Sequence, residues 1–371
     1  MGTWLLTATA LLGVLLGLVV LQFAHLAVVL AWCERRQLEL AYYGLPAAQR
    51  RRFKAALRWH GTLLTPIVWL LSRVSRFRFA DTSFAFRGTR IPKNSCNEES
   101  VRRAVDCLPE ANDVFVVSQM RSGTTWTQHL VYQVLTRGQG DLAEDDKTLY
   151  AVSPWLESRL GVPVDRAPLI GAERPSRIVK THLPADLCPF NLAAKYIYVR
   201  RDPVACFGSC VDFVQDNVGA FAPEMPEYEG WFTSADLMWW STWPAHVGGW
   251  SQRAAENPNV LVIRFEDMKR DLAAVVGEVA ALLDMEPLSS GEMAQVLWKC
   301  SFDYMRDNAD RFEMMPPHVL QGHRGFFISG KRDRRDGIPA DVRERVGSWC
   351  DEQLQSLESC PVVDECTLCG S

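Results

Sequence analysis

The chain has 371 residues, 48% hydrophobic and 23% charged, with a formal net charge of -4. That is a globular composition with enough apolar material for a large core, and the charge argues against a nucleic-acid partner. The 11 cysteines are odd in number and irregularly spaced, so they are not the framework of a small secreted module, which favours a reducing compartment.

Residues 1–33 are expected to be a transmembrane anchor. From Trp4 to Trp32 there is no acidic or strongly basic side chain, and Gln22 and His25 are the markedly polar members. A span needs about 20 apolar residues. A cleaved signal would carry about 7–15 after a positive charge, and neither holds here. Trp4 and Trp32 stand where interfacial aromatics belong. Past Trp32 come Arg35, Arg36, Arg50, Arg51, Arg52, Lys54 and Arg58, whereas only the amino terminus is charged ahead of Trp4. The positive-inside rule therefore puts the carboxyl side in the cytoplasm.

Residues 34–110 form a basic membrane-proximal region. Its apolar run from Thr62 to Val74 is too short to span. It reads as an interfacial helix or membrane-facing hairpin, or equally as a core helix. Residues 81–110 are mixed, with loops expected at Pro92, Asn94 and Asn97.

From Val114 short apolar runs alternate with helical stretches. Residues 114–118, 177–181, 195–200 and 260–265 are β-branched or aromatic and nearly continuous, as buried parallel strands are. Helices are expected near 124–137, 203–215, 235–255, 268–283 and 341–357, with Asp202 and Pro203 as a cap and first-turn proline. Residues 217–230 and 314–339 concentrate Pro and Gly and read as surface loops or lids. This alternation gives an α/β domain over 111–358, a doubly wound parallel sheet flanked by helices. The tail 359–371 holds Cys360, Cys366 and Cys369. Its Cys-x-x-Cys pair is either a metal or redox site or a flexible tail with free thiols. One pair lacks the second pair of a structural zinc site, and no metal is expected.

The stretch "FVVSQMRSGTTWTQHL", Phe115 to Leu130, carries the chemistry. A strand ends at Ser118 and a helix starts near Thr124, so backbone N–H groups and the positive helix end converge on one point. Gly123 admits close approach, Thr124 and Thr125 add hydroxyls, Arg121 adds fixed charge, and Trp126 offers a face for a base. The loop is P-loop-like, but a Walker loop ends in Gly-Lys-Ser/Thr and no lysine follows this glycine. "IVKTHLP" (Ile178 to Pro184) ends a second strand with Lys180, Thr181 and His182. "YIYVRRDPVACFGS" (Tyr196 to Ser209) ends a third with Arg201, and Ser209 follows eight residues later. Carboxyl ends of parallel strands are where open α/β sheets bind ligands.

In order, these segments resemble the sulfotransferases. The first loop is similar to that family's Pro-Lys-Ser-Gly-Thr-Thr-Trp phosphosulfate loop, and Lys-Thr-His before Leu-Pro resembles its catalytic segment. Arg201 with Ser209 resembles its 3′-phosphate signature. "RFEDMKRDL" (Arg264 to Leu272), "KCSFDYM" (Lys299 to Met305) and "GHRGFF" (Gly322 to Phe327) resemble three further segments. The resemblance implies the donor 3′-phosphoadenosine 5′-phosphosulfate. Arg121, Ser122, Gly123, Thr124, Thr125 and Trp126 would hold its 5′-phosphosulfate and adenine. Arg201, Ser209, Arg324 and Gly325 would hold its 3′-phosphate, and Ser301 would add a donor contact. His182 would be the general base toward an acceptor hydroxyl or amine, with Lys180 and Arg121 neutralising charge. Sulfuryl transfer of this kind rests on positioning and electrostatics and calls for no metal.

The sequence departs from the family in places. Arg121 replaces a lysine and Met120 a proline. His323-Arg324 replaces Arg-Lys, and Pro244 sits near where an adenine-contacting tyrosine is expected, which leaves adenine to Trp126 and residues 300–305. Acceptor loops are expected at 149–160 and 211–243, the latter with Phe213, Phe221, Tyr228, Trp231, Phe232, Trp239, Trp240 and Trp243, either pocket or core. Beside a membrane anchor, these suggest a small hydrophobic or lipid-like acceptor. A homodimer stays open. The competing readings are a carbohydrate sulfotransferase with a luminal domain and, further off, a P-loop kinase.

Overall fold

The computed structural model describes residues 2–144, 146–314, 316–319 and 334–359. The chain begins with a helical hairpin: α1, Gly2–Glu39, and α2, Ala47–Val74. Ala41, in the left-handed region at φ 43°, helps reverse the chain between them. The helices run antiparallel. Gln22 donates to the Leu63 carbonyl at 3.0 Å, His25 pairs with His60 at 3.1 Å, and Trp32 stacks on Phe53. Arg50 fastens the hairpin to the body: it is buried, lies over the Tyr42 ring, and donates to the carbonyls of Tyr43 and Glu313. Such a buried cation is tolerable because both terminal nitrogens of its guanidinium reach carbonyl oxygens.

The Thr62–Val74 run lies within α2 and has two faces. Leu64 and Ile67 are buried, whereas Leu63, Trp69, Leu70 and Val74 are exposed. The core reading holds for one face and leaves the other free.

Next come β1, Ser83–Phe86, and β2, Thr89–Pro92, an antiparallel hairpin, and α3, Glu98–Val105. Sequence pattern marked this region as loops. The hairpin was missed because its strands are only four residues long. Asn97, read as a loop marker, is the N-cap of α3 and accepts from the Ser100 N–H at 2.8 Å.

The parallel sheet follows the expected pattern. β3 (Asp113–Val117), β4 (Arg177–Thr181), β5 (Lys195–Arg200) and β6 (Val260–Arg264) are all parallel in the order β4-β3-β5-β6. Every residue of β3 is buried, as continuous apolar composition requires of a strand covered on both faces. Registers place Val117 opposite both Thr181 and Tyr198, so Ser118, His182 and Arg201 emerge at one edge. The strand order reverses at β3, and such a switch point opens a crevice at the carboxyl ends.

The helices are α4 (Thr124–Leu135), α5 (Leu149–Val152), α6 (Pro203–Val218), α7 (Met225–Phe232), α8 (Trp243–Glu256), α9 (Phe265–Arg270), α10 (Leu272–Leu282), α11 (Ser290–Lys299), α12 (Phe302–Asp307), α13 (Ala309–Phe312) and α14 (Ala340–Ser359). Asp202 caps α6 through the Ala205 N–H at 2.7 Å. Two expectations shift. The helix placed at 235–255 starts only at Trp243, where Pro244 fits the first turn, and α7 overlaps the stretch read as a 217–230 loop. Among the described residues, α1 contains the one helical stretch, Thr7–Glu39, long and apolar enough to cross a membrane.

Candidate active site

The loop from Ser118 to Gly123 is held in a shape that ordinary residues resist. Arg121 has φ 65° and Gly123 has φ 106°. A Cβ at Gly123 would stand 2.6 Å from the Phe265 ring, so glycine is required by both backbone and space. Gln119 pins the loop by donating to the carbonyls of Trp239 and Ser241. That partner segment is itself strained, with Trp240 at φ 66° and Ser241 at φ 77°. Ser118 and Thr124 share a hydroxyl hydrogen bond at 2.5 Å, and Thr125 reaches the Tyr150 hydroxyl at 3.1 Å.

His182 is buried, and its surroundings fix its chemistry. Its Nδ1 lies 2.8 Å from the Ser118 carbonyl oxygen. A carbonyl can only accept, so Nδ1 carries the proton and Nε2 keeps the lone pair. The His182 backbone N–H donates to Glu157 Oε1 at 2.7 Å. Burial, then the charge of Lys180, holds its pKa well below the usual histidine value, so the ring is neutral at physiological pH. Behind it, His246 Nε2 lies 3.1 Å from the His182 carbonyl.

Lys180 is completely buried. Its Nζ sits 3.4 Å from the centre of the Trp155 ring, a cation–π contact worth about 2 kcal/mol or more when desolvated. Burial pushes its pKa down to about 7, against the opposing pull of Glu157. Burial in turn pushes the Glu157 carboxyl up. Glu157 is the residue that sequence reasoning missed. It lies within the 149–160 stretch assigned to the acceptor, and only folding carries it under β4, where Trp155 pairs with Lys180 as an added strand position.

The cations gather around the loop. Arg201 donates to the Arg121 carbonyl at 3.1 Å and lies over the Phe265 ring. Arg121 Nε donates to Ser209 Oγ at 3.3 Å, and its guanidinium lies over Phe213. Burial, with Arg334 and Arg201 close by, brings the Arg121 pKa down to about 10. Burial and Arg334 also lower Arg201. Packing guanidiniums this closely is unfavourable unless an anion joins them. Arg334, within the 314–339 stretch expected to be a surface loop or lid, is paired with Asp212.

One cavity of about 910 Å³ is lined by Arg121, Thr124, Trp126, His182, Arg201 and Ser209, among others. Lys180 does not line it; the Trp155 ring does. Trp126 donates its Nε1 to the Cys300 carbonyl at 2.8 Å and meets Phe265 edge to face. Phe265, not Pro244, is the aromatic beside Trp126. Pro244 is buried in the first turn of α8 and is not among the lining residues. Ser301 caps α12 through the Tyr304 N–H, between the lining residues Cys300 and Phe302. Ser122 is buried with its hydroxyl toward Cys206. Of the aromatics at 211–243, Phe213, Trp239 and Trp240 line the cavity. Tyr228, Trp231 and Phe232 are core, with Trp231 stacked on Phe79 at 4.4 Å. Arg324, Gly325 and the tail cysteines lie outside the described residues.

A family model described as a sulfotransferase domain matches residues 111–358. The 3-alpha-hydroxysteroid sulfotransferase of Cavia porcellus is 30% identical over 258 residues, covering 68% of this chain and 86% of the relative. The luciferin sulfotransferase of Photinus pyralis is 29% identical over 285 residues, covering 68% and 75%. Among solved structures, retinol dehydratase in complex with androsterone and inactive cofactor PAP superposes with a TM-score of 0.57 at 18% identity, over 74% of this chain and 89% of that one. That last likeness is one of fold.

Proposed function

The chain belongs to the sulfotransferase domain family, and from that premise we propose that it transfers a sulfuryl group from 3′-phosphoadenosine 5′-phosphosulfate to a hydroxyl or amine of a lipophilic acceptor. The observation that carries the reading is the bond from His182 Nδ1 to the Ser118 carbonyl. It leaves a neutral Nε2 base in the cavity that Arg121 and Arg201 also line.

The residues suit this donor. The crowded guanidiniums of Arg121 and Arg201 gain from anions, the Gly123 backbone leaves room, and Trp126 with Phe265 offers aromatic surface for a base. Residues 121–126 would hold the 5′ end, and Arg201 with Ser209 the 3′-phosphate. When bound, the donor supplies an activated sulfuryl group whose sulfur–oxygen bond to phosphate breaks as the acceptor oxygen or nitrogen bonds to sulfur. His182 Nε2 takes the acceptor proton, and the bond to Ser118 holds the ring while it is charged. Arg121, which cannot give up its proton at working pH, is no general acid and acts by its charge and its forked hydrogen bonds. Lys180 adds positive charge from behind the Trp155 ring.

The membrane reading rests on α1 and its flanking charges. It places the chain as a single-pass membrane protein with the catalytic domain in the cytoplasm. Protease added to sealed vesicles should then degrade the catalytic domain, and protection would reverse the orientation. The activity itself is tested by labelled donor and a panel of lipophilic and polar alcohols, phenols and amines, wild type against His182→Ala. Undiminished transfer by the variant would overturn the base assignment, and turnover of soluble sugars alone would sink the lipophilic acceptor.

A further inference from the structure

Resting on the sulfotransferase reading, we propose that α1 is a wall of the acceptor pocket as well as an anchor, and that the acceptor is a bilayer-dissolved amphiphile with a terminal hydroxyl, reaching His182 along that helix. A helix that merely tethers has no reason to touch the reaction cavity. Here Leu30, Ala31, Cys33, Glu34 and Gln37 line the same cavity as His182 and Arg121.

The wall is fastened at several points. Glu34 pairs with Arg159 at 3.1 Å, two residues beyond Glu157, the carboxylate that holds the His182 N–H. Gln37 Nε2 donates to the Pro317 carbonyl at 2.9 Å, and Cys33 Sγ to the same oxygen at 3.4 Å. These contacts fix α1 beside the reacting groups, with Leu30 toward the cavity and still 41% exposed.

From Leu30 the helix runs outward. Leu11, Leu12, Leu15, Leu16, Leu18 and Leu21 are all exposed. Leu21 is nine residues from Leu30, roughly 14 Å along the axis. Alongside, α2 presents exposed Trp59, Leu63, Trp69 and Leu70, with the Arg73 guanidinium over the Trp69 ring. Aromatic and aliphatic surface edged by arginine is the composition of a helix lying at a lipid headgroup boundary. The occupant of this surface is therefore the bilayer, and the cavity opens against the helix that enters it. An amphiphile could keep its apolar body along α1 while its hydroxyl reaches Nε2. A cavity of about 910 Å³ lies near the top of the roughly 300–1,000 Å³ usual for one ligand, which leaves room for donor and acceptor together.

The test uses the full chain in phosphatidylcholine vesicles with labelled donor and two probes: 4-dodecylphenol, which partitions into the bilayer, and 4-nitrophenol, which stays in water. The wild-type rate on dodecylphenol should follow its mole fraction in the bilayer and not its total concentration. Leu30→Trp should lower kcat/KM for dodecylphenol, relative to 4-nitrophenol, by about tenfold or more, near 1.4 kcal/mol. PAP affinity, read by calorimetry, should stay within about twofold as a check on folding. Leu15→Trp, the same change on the part of α1 outside the cavity, should alter neither rate. An equal loss on both phenols, no loss, a rate that tracks total concentration, or PAP binding without turnover of dodecylphenol would each overturn the proposal. Failure of the protein to bind PAP or to sulfonate either phenol would instead overturn the sulfotransferase reading beneath it.

Discussion

His182 and Ser118, 64 residues apart in the chain, are joined by a 2.8 Å hydrogen bond from imidazole Nδ1 to the Ser118 backbone carbonyl. One bond ties the end of β4 to the start of the anion loop after β3 and selects the tautomer with a free Nε2. Replacing His182 by Ala should lower kcat by about 10²–10⁴-fold, the usual worth of a positioned general base. Donor affinity should change little, because the proposed role of Nε2 is toward the acceptor and not the donor. Single-turnover rates with PAP titration separate the two effects; a loss confined to PAP affinity would contradict the assignment.

The pH profile of kcat/KM should carry two limbs with unusual positions. In the proposed mechanism neutral His182 is the active form, and its pKa is depressed by burial and Lys180, so activity should persist as pH falls through the ordinary histidine range and be lost only below it. In the same proposed mechanism charged Lys180 is the active form, and burial lowers its pKa to about 7, so activity should decline as pH rises through that value in the free enzyme. Lys180→Met should flatten the alkaline limb and lower kcat by about 10²-fold. An alkaline limb that survives in Lys180→Met belongs to another group.

Glu157→Gln keeps an oxygen for the His182 N–H and removes only the charge. Glu157 raises the Lys180 pKa, so the variant should move the alkaline limb toward lower pH. A merely structural carboxylate would reduce thermal stability without moving the limb.

Gly123→Ala sets a Cβ 2.6 Å from the Phe265 ring at φ 106°. The conformation alone costs about 1–2 kcal/mol, and the clash adds to it. Denaturant melts should show the loss, together with weaker PAP binding. Phe265→Ala in the same chain should restore only the part due to the clash. Full restoration would show that backbone strain is absent.

Arg121→Lys keeps one positive charge but forfeits the fork that reaches Ser209 Oγ. Because a guanidinium grips two oxyanions at once, the variant should weaken donor binding by about tenfold with kcat less affected. An unchanged donor affinity would mean that Arg121 serves as a point charge.

Much of this was legible along the chain. The four parallel strands are mostly buried, β3 entirely so, so their composition is nearly continuous and their limits fell within a residue or two of the expected ones. Arg121, Lys180, His182 and Arg201 were legible because each sits in or just past a strand end, and Ser209, inside α6, because of its spacing from Arg201. Short elements were not: β1 and β2 are four residues each, and α7 hides in a stretch rich in proline and glycine. Ser301, expected to contact the donor because its segment matched, also caps α12 with its hydroxyl oxygen, and a hydroxyl that accepts still has a proton to donate.

By itself the sequence determined an apolar N-terminal helix, a parallel α/β domain and an anion loop whose charge precedes its glycine. These are local properties, set by periodicity and by what each residue can do alone. The tertiary structure decided which groups meet. It brought Glu157 beneath His182 and Lys180, laid Trp155 over the lysine ammonium, set Phe265 against Trp126, and ran α1 along the cavity wall. Burial and proximity between distant segments fix those relationships, and with them the pKa values of the site, since both depend on what surrounds a group in space.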